Sequence, residues 1–238
     1  MKLRIKFTKH GPVKFIGHLD IMRYFQKANR RAQLDVKYTG GYSPHQVMSF
    51  AAPLGVGLES NGEYMDIEVN SLTSCEDVRD RLNKAGVPGI RIVSVKVLPE
   101  SAGNAMASVA AASYTIRFRE GCEPPFDVDC AIKKFLSQEQ IPVIKETKKG
   151  VREVDLRKGI YEMRTCENSI YLMVDASSCG NIKPQQVIRA LYEQNGCSLD
   201  DFSLLITREE TYTVDATGEK TEWIPLDFVG TDTPEDIE

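Results

Sequence analysis

The sequence lacks the features of a membrane-embedded or secreted protein. No apolar run approaches the roughly 20 residues that a bilayer-spanning helix requires. The first residues, MKLRIKFTKHG, alternate charged and apolar side chains, a pattern that predicts a strand and not a signal peptide. We therefore expect a cytoplasmic protein without a membrane partner.

The sequence is also poor in patterns that bind metals or nucleotides. None of its six cysteines forms a C-x-x-C pair, and no histidine lies near any of them. A structural zinc ion or an iron–sulfur cluster is therefore not expected. The glycine-containing stretch LGVGLES (54–60) has neither G-x-G-x-x-G nor Walker spacing. We expect no metal and no cofactor.

Histidine is scarce and charge is unevenly distributed. The three histidines, His10, His18 and His45, all lie in residues 1–60, which carry ten Lys/Arg and only three Asp/Glu. The remainder carries 20 Lys/Arg and 31 Asp/Glu, so the net charge of −4 combines a basic segment with an acidic body. This asymmetry indicates either a solvated helix face or a local anionic partner such as phosphate, nucleotide or RNA.

The apolar periodicity predicts an α+β fold with antiparallel sheets. Residues 3–98 contain segments in the order β-α-β-β-α-β, which is the order of a ferredoxin-like unit, and Asn61-Gly62 predicts a hairpin turn within it. The same order of segments recurs from residue 113, so we expect two ferredoxin-like units in tandem. The expected boundaries are 1–99 for the first unit, 100–112 for a linker, 113–214 for the second unit and 215–238 for an acidic C-terminal tail.

The segment 15–66 concentrates the candidate functional residues. It contains a predicted helix over 18–33, followed by a loop rich in Gly, Pro and Ser that carries Tyr42 and ends at His45. The predicted apolar face of the helix carries Leu19, Met22, Phe25, Ala28 and Ala32. The opposite face is basic and carries Arg23, Lys27, Arg30 and Arg31.

Several kinds of chemistry fit these residues. His18 and Asp20 are expected where a loop becomes a helix, near backbone N–H groups that can bind an anion. His18, His45 and Asp20 are candidate acid–base groups, because histidine titrates near neutral pH. The same three residues could instead form a metal site, or the histidines could support the helix end and the loop.

Anion binding is the preferred interpretation of the segment. Tyr42 could stack on a base beside the arginines, and Arg157, in the later stretch VDLRKG, either pairs with Asp155 or reaches the same ligand. The candidate anion-binding residues are His18, Arg23, Lys27, Arg30, Arg31, Tyr42, His45 and Arg157.

The stretches GHLDIMR, KANRRA, GGYSPH, SFAAPLGVGLES and GEYMDIE carry a resemblance to a known family. They resemble the bacterial radical-SAM-linked, or radical-SAM-associated, family, and KKGVREVDLRKGI (148–160) is similar to a later segment of that family. The matching residues are His18, Leu19, Asp20, Arg23, Arg30, Arg31, Gly41, Pro44, His45, Phe50, Ala51, Leu54, Gly57, Glu63, Tyr64 and Asp66. The sequence departs from the family pattern at Gly17, Lys27 and Gln46-Val47, where Ser, Arg and Pro-Lys are common.

The resemblance implies a partner but no reaction. Such domains are fused to, or encoded beside, a radical SAM enzyme that often carries a cobalamin-binding segment. This chain has no C-x-x-x-C-x-x-C motif for the enzyme's cluster, so it would be the detached accessory half.

Three functions remain open at this point. The first is a non-catalytic accessory subunit that presents RNA to a radical SAM enzyme. The second is a metal-independent endoribonuclease that uses His18 or His45, an analogy that rests on the expected architecture alone. The third is a protein-interaction module without a nucleic-acid role.

Overall fold

A computed structural model describes residues 1–147, 150–200, 202–215 and 222–234. The described residues form a mixed α+β protein with mostly antiparallel strand pairing. The chain divides into two compact units, Met1–Ala110 with Arg208–Glu238, and Ala111–Thr207. No helix in the described part of the chain is both long and apolar enough to span a membrane.

The first unit contains a sheet with two helices packed on one face. Its elements are β1 (Lys2–Lys9), α1 (His18–Arg31), β2 (Met48–Phe50), β3 (Glu59–Glu68), α2 (Cys75–Ala85), β4 (Ile90–Leu98) and the short α3 (Ala105–Ser108). The strand order is β4-β1-β3-β2, and each of these pairs is antiparallel. Strand β10 (Leu204–Asp215) also lies beside β3, and β11 (Glu222–Pro225) pairs with β10.

The alternation of β1 determines which side chains enter the core of this unit. Leu3, Ile5 and Phe7 are almost fully buried and pack in one apolar cluster with Phe25 of α1 and Val78 of α2. Arg4 and Lys6 project to the opposite face, because successive side chains of a strand point to opposite sides. The strand predicted for the first residues is therefore confirmed, and α2 begins after Ser74, whose side chain caps the helix.

The apolar face predicted for α1 is wrong in its first turn. Leu19 is 61% exposed, whereas Ile21, Phe25 and Ala28 are buried. Asn29 is also buried; its side-chain amide nitrogen donates to Gln46 Oε1 at 2.9 Å, while its side-chain oxygen has no hydrogen-bond partner among the described residues. The core of the unit thus contacts a slightly different stripe of the helix, one that includes a polar residue with a specific partner.

The predicted turn at Asn61-Gly62 is also wrong, because both residues lie within β3. A Cβ atom at residue 62 would lie 2.9 Å from the carbonyl oxygen of Glu209 and 2.7 Å from Oε1 of Glu210. Glycine is therefore required here for the close approach of β10, a tertiary constraint that overrides the local turn signal.

The second unit is built from β5 (Ala111–Phe118), α4 (Val128–Leu136), β8 (Ile160–Cys166), β9 (Ser169–Asp175), α5 (Pro184–Gln194) and the first residues of β10. The strand order is β10-β5-β9-β8. A separate antiparallel hairpin, β6 (Pro142–Thr147) with β7 (Gly150–Asp155), is inserted between α4 and β8. Lys148 and Lys149 of the family-like segment lie outside the described residues.

The structure places parts of the expected linker and tail in ordered elements. The stretch 100–112 contains α3 and the start of β5, and the stretch 215–238 contains β11. Leu226, just after β11, is fully buried, and its carbonyl oxygen accepts a hydrogen bond from the Arg4 guanidinium. A buried arginine needs such acceptors, and this segment, which belongs to the first unit, supplies one.

Candidate functional site

Three cations form an exposed stripe on the outer face of α1. Arg23, Lys27 and Arg30 follow one another at intervals of four and three residues, and all three are exposed. Arg23 pairs with Asp20 at 3.2 Å, but both side chains are at least 60% exposed, so water screens that pair. Arg30 Nε donates to the carbonyl oxygen of Gln26, which leaves the charge of its guanidinium at the surface.

The loop that follows α1 is fastened to the side of the helix by Gln46. The Gln46 side-chain amide donates to the carbonyl oxygen of Gln26 at 3.1 Å and to the Tyr38 hydroxyl at 3.3 Å, and its Oε1 accepts from Asn29. These contacts hold the loop beside the C-terminal half of α1. Gln46 is one of the departures from the family pattern, and in this chain it is the anchor of the loop.

This loop presents an aromatic ring and a histidine to solvent. Tyr42 is fully exposed, and Tyr38 is 47% exposed. His45 is also exposed; its Nδ1 lies 3.1 Å from Thr39 Oγ1, and its backbone N–H donates to the same oxygen. We use the term basic surface for Arg23, Lys27, Arg30, Tyr42 and His45.

His18 belongs to a different place, a narrow pocket at the beginning of α1. Its ring packs edge-on against Phe50, with 5.1 Å between ring centroids. The pocket is lined by Phe7, Lys9, His18, Ile21, Phe50, Pro53, Leu54 and Glu63. Four of the family-like residues, His18, Phe50, Leu54 and Glu63, therefore meet around one small space.

The structure does not bring His18 and His45 together. His45 precedes Gln46, which contacts Asn29, and Asn29 lies eleven residues after His18 on α1. A helical rise of 1.5 Å per residue separates those two positions by about 16 Å. A catalytic or metal site that combines both histidines is not supported by this arrangement.

The two other predicted arginines bind backbone carbonyls. Arg31 Nε donates to the carbonyl oxygen of Ala85, the last residue of α2. Arg157, in the second unit, donates from Nε to the carbonyl oxygen of Leu136, the last residue of α4, at 3.0 Å. Both arginines thus satisfy carbonyl groups that a helix end leaves without an intrahelical partner.

The His18 pocket also contains a buried charged group that was not among the residues predicted from the sequence. Lys9 is 3% exposed, and its Nζ donates to the carbonyl oxygen of Ile16 at 3.1 Å. Burial is the main cause that lowers the pKa of Lys9, and the nearby Arg208 lowers it further, while Glu63 opposes this shift. The signal was present in the sequence, because Lys9 continues the inward-facing series of Leu3, Ile5 and Phe7.

Glu63, beside Lys9, is already paired with Arg208. Arg208 Nε donates to Glu63 Oε1 at 2.9 Å, a second guanidinium nitrogen contacts the same oxygen, and that nitrogen also donates to the carbonyl oxygen of Ala52. Both side chains are nearly fully buried. Lys9 and Glu63 line the pocket and Arg208 pairs with Glu63, so this cluster carries two cations and one anion when Lys9 is protonated.

The opposite face of the same sheet carries a second buried polar cluster. Arg4 and Asp66 form a two-bond ion pair at 2.8 and 3.0 Å. The Tyr64 hydroxyl lies 2.7 Å from Glu210 Oε1 and 2.9 Å from Asp227 Oδ1. Burial and these two carboxylates raise the pKa of Tyr64 well above its usual range. The family-like residues Tyr64 and Asp66 thus stabilise the first unit internally.

In the described part of the chain, no three His, Cys, Asp or Glu side chains gather as metal ligands. No curated protein matches the chain. Residues 2–184 match the sequence model of a family described as an uncharacterized protein conserved in bacteria (DUF2344). The match covers more than three quarters of the chain and includes every residue of the basic surface and of the His18 pocket. The chain belongs to the DUF2344 family.

Proposed function

We propose that this protein binds RNA through the basic surface and acts as a non-catalytic accessory protein. The observation that carries the proposal is the exposed stripe of Arg23, Lys27 and Arg30 beside a loop that presents Tyr42 and His45. Cations at a protein surface attract phosphates over several ångströms, and their binding releases the counterions of a nucleic acid.

The aromatic side chains favour RNA over a simple phosphate. Tyr42 is fully exposed, so its ring has no part in the core and can stack on an unpaired base. Tyr38, which is half exposed, is held by Gln46 against the helix that carries the cations. A single-stranded segment could therefore place its phosphates on α1 and its bases on the loop, which is a common way to bind RNA without reading its sequence.

The partner and the architecture form the second part of the proposal. The resemblance described above suggests a radical SAM enzyme, of the kind that often binds cobalamin, as the catalyst that this protein assists. We also infer that each unit is ferredoxin-like. The strand orders β4-β1-β3-β2 and β10-β5-β9-β8 support this inference, because both follow from a β-α-β-β-α-β order of elements.

Binding is favoured over catalysis by the surroundings of His45. The groups within hydrogen-bond distance of its Nδ1 are Thr39 Oγ1 and the carbonyl oxygen of Ser43, and neither is an acid or a base near neutral pH. A metal-independent endoribonuclease needs two acid–base groups at the cleaved bond. An interaction module without RNA binding is the remaining alternative and is an outcome of the test below.

The test measures the salt dependence of RNA affinity. Fluorescence polarisation with a labelled single-stranded RNA, between about 50 and about 200 mM salt, gives the slope of log K against log salt. The variant Arg23→Ala/Lys27→Ala/Arg30→Ala removes three cations. We expect the magnitude of its slope to be lower than that of the wild type by about 2, since each of three lost phosphate contacts to a single strand contributes about 0.7.

The matched control removes three exposed cations elsewhere, in the variant Arg91→Ala/Lys133→Ala/Lys134→Ala. It changes the net charge by the same amount and should leave the slope unchanged. An affinity that does not change with salt, or an equal loss in both variants, refutes RNA binding at the basic surface. If the wild type binds no RNA and the first variant still binds the partner enzyme, the result supports the interaction module.

A further inference from the structure

The second unit contains an open groove with the dimensions of a small-molecule site. Its volume is about 570 Å³, and such sites usually have about 300–1,000 Å³. One wall consists of the end of β5 and the loop that leads to α4, and the other wall is the turn between β8 and β9. All residues that line the groove belong to the second unit, so the groove is separate from the basic surface.

Regular contacts hold the two walls in place. Arg117 of β5 lies opposite Ser169 of β9, which places the turn beside the end of β5. Thr165 Oγ1 donates to Asp129 Oδ1 at 3.1 Å and so joins β8 to the first turn of α4. The groove is therefore formed by elements of the fold before any ligand enters it.

The bottom of the groove is apolar. Phe118 and Val128 are half-buried, and Ile170 is only 1% exposed. We use the term apolar floor for these three residues. A hydrocarbon segment of a ligand gains free energy when it leaves water for such a surface.

The edges of the groove carry three carboxylates, Glu120 and Glu123 on one wall and Glu167 on the other. We call these three residues the acidic rim. All are exposed, and none forms an ion pair among the described residues; Glu123 accepts a hydrogen bond from the Gly121 N–H. The rim also carries one cation, Arg117, so negative charge prevails at the groove.

The distribution of these charges indicates the class of ligand. In the described part of the chain no three carboxylates gather closely enough to hold one metal ion, so the negative charges of the rim are spread around the groove. Spread anions above an apolar floor are complementary to several cations joined by hydrocarbon chain. A peptide with basic side chains would also bring backbone amide groups, for which an apolar floor offers no hydrogen-bond partners.

We propose that this groove binds an aliphatic polyamine, a chain of methylene groups that carries several protonated amines. The methylene groups lie on the apolar floor, and the ammonium groups reach the carboxylates of the acidic rim. The inference does not depend on the proposed function, because the groove and the basic surface lie in different units. It also assigns a role to the acidic character of the chain after residue 60.

The first experiment compares spermidine with hexaamminecobalt(III), a compact cation of the same charge without methylene groups, by isothermal titration calorimetry on the full chain. We expect spermidine to bind at least about tenfold more tightly, because burial of about two methylene groups is enough for that difference. Equal affinities for the two cations would overturn the proposal, since charge alone would then account for binding.

The second experiment removes the charges of the acidic rim and preserves its shape. Glu120→Gln/Glu123→Gln/Glu167→Gln should weaken spermidine binding by about tenfold, the sum of three exposed ion pairs. The matched control Glu76→Gln/Glu139→Gln/Glu153→Gln changes three exposed carboxylates outside the groove and should retain the affinity. The same loss in both variants, or no loss in the first, overturns the assignment to the groove.

Arg117 supplies a third test, in which the expected change has the opposite sign. Arg117→Gln removes a cation that repels the ammonium groups, so spermidine should bind more tightly. A ligand that offers carbonyl or carboxylate oxygens to this guanidinium would bind less tightly to the variant. Weaker spermidine binding by Arg117→Gln would therefore contradict the proposed placement of the polyamine.

Discussion

Replacement of Asp66 by alanine leaves the Arg4 guanidinium buried without its carboxylate partner. Arg4 is fully buried and Asp66 is 2% exposed, and two hydrogen bonds of 2.8 and 3.0 Å join them. Among the described residues, only the bond from Arg4 to the carbonyl oxygen of Leu226 survives the substitution. Removal of one partner from a buried pair costs about 3–5 kcal/mol, which is a large part of the stability of an ordinary domain.

The single tryptophan, Trp223, reports on the same unit, because β11 pairs with β10 there. Urea denaturation followed by Trp223 fluorescence should show a midpoint for Asp66→Ala that is lower by about 2 M, for a slope of about 2 kcal/mol per M. The matched control is Asp20→Ala, which breaks the exposed pair with Arg23. That variant should lose less than about 1 kcal/mol, because water screens the pair.

A second variant tests the physical reason for this loss. Arg4→Met/Asp66→Leu removes both charges and fills the space with apolar atoms, so it should recover most of the stability that Asp66→Ala loses. A loss below about 1 kcal/mol in Asp66→Ala would refute the account of an uncompensated buried charge. The account would also fail if the double variant were as unstable as the single one.

Two further predictions concern a carboxylate in the second unit and a glycine in the first. The pKa of Asp155 is lowered because its carboxylate accepts hydrogen bonds from the backbone N–H groups of Ile141 and Arg157. The ionised Asp155 therefore stabilises the folded protein at pH values above the ordinary carboxyl pKa of 3.8. Asp155→Asn should accordingly lower the melting temperature at pH 7. That difference should shrink as the pH falls below 3.8, which circular dichroism at several pH values can follow. Gly62→Ala should cost about 1–3 kcal/mol in the urea assay, since the new Cβ would meet the backbone of Glu209; an unchanged midpoint would contradict this contact.

Local patterns in the sequence determined most of the secondary structure. The alternation at 90–98 predicts β4 with its observed bounds, and Ser74 predicts the start of α2 because its hydroxyl accepts from the Asp77 N–H. The stripe of Arg23, Lys27 and Arg30 could also be recognised, because helical periodicity alone decides which residues share a face. Such features depend on neighbours within a few residues of one another.

Only the tertiary structure decided which candidate residues meet. The glycine at 62 looked like a turn residue until β10, about 150 residues later in the chain, was found beside it. Arg31 looked like a ligand-binding residue, but the end of α2 uses its guanidinium. Lys9 occupies an inward-facing position that the sequence alternation already indicates. Its electrostatic surroundings, however, depend on Arg208, which pairs with the nearby Glu63.

The two histidines show the same limit. Their residue type and their loop positions follow from the sequence, and from these alone a shared site was a reasonable hypothesis. The distance between them depends on where along α1 Gln46, the residue after His45, is bound. That contact with Gln26 and Asn29 joins segments that are far apart in the sequence. The sequence by itself thus determined most of the elements, the exposed cations and the match to the DUF2344 family. The tertiary structure decided the division into a basic surface and a separate pocket, because burial and charge pairing depend on residues that are distant along the chain.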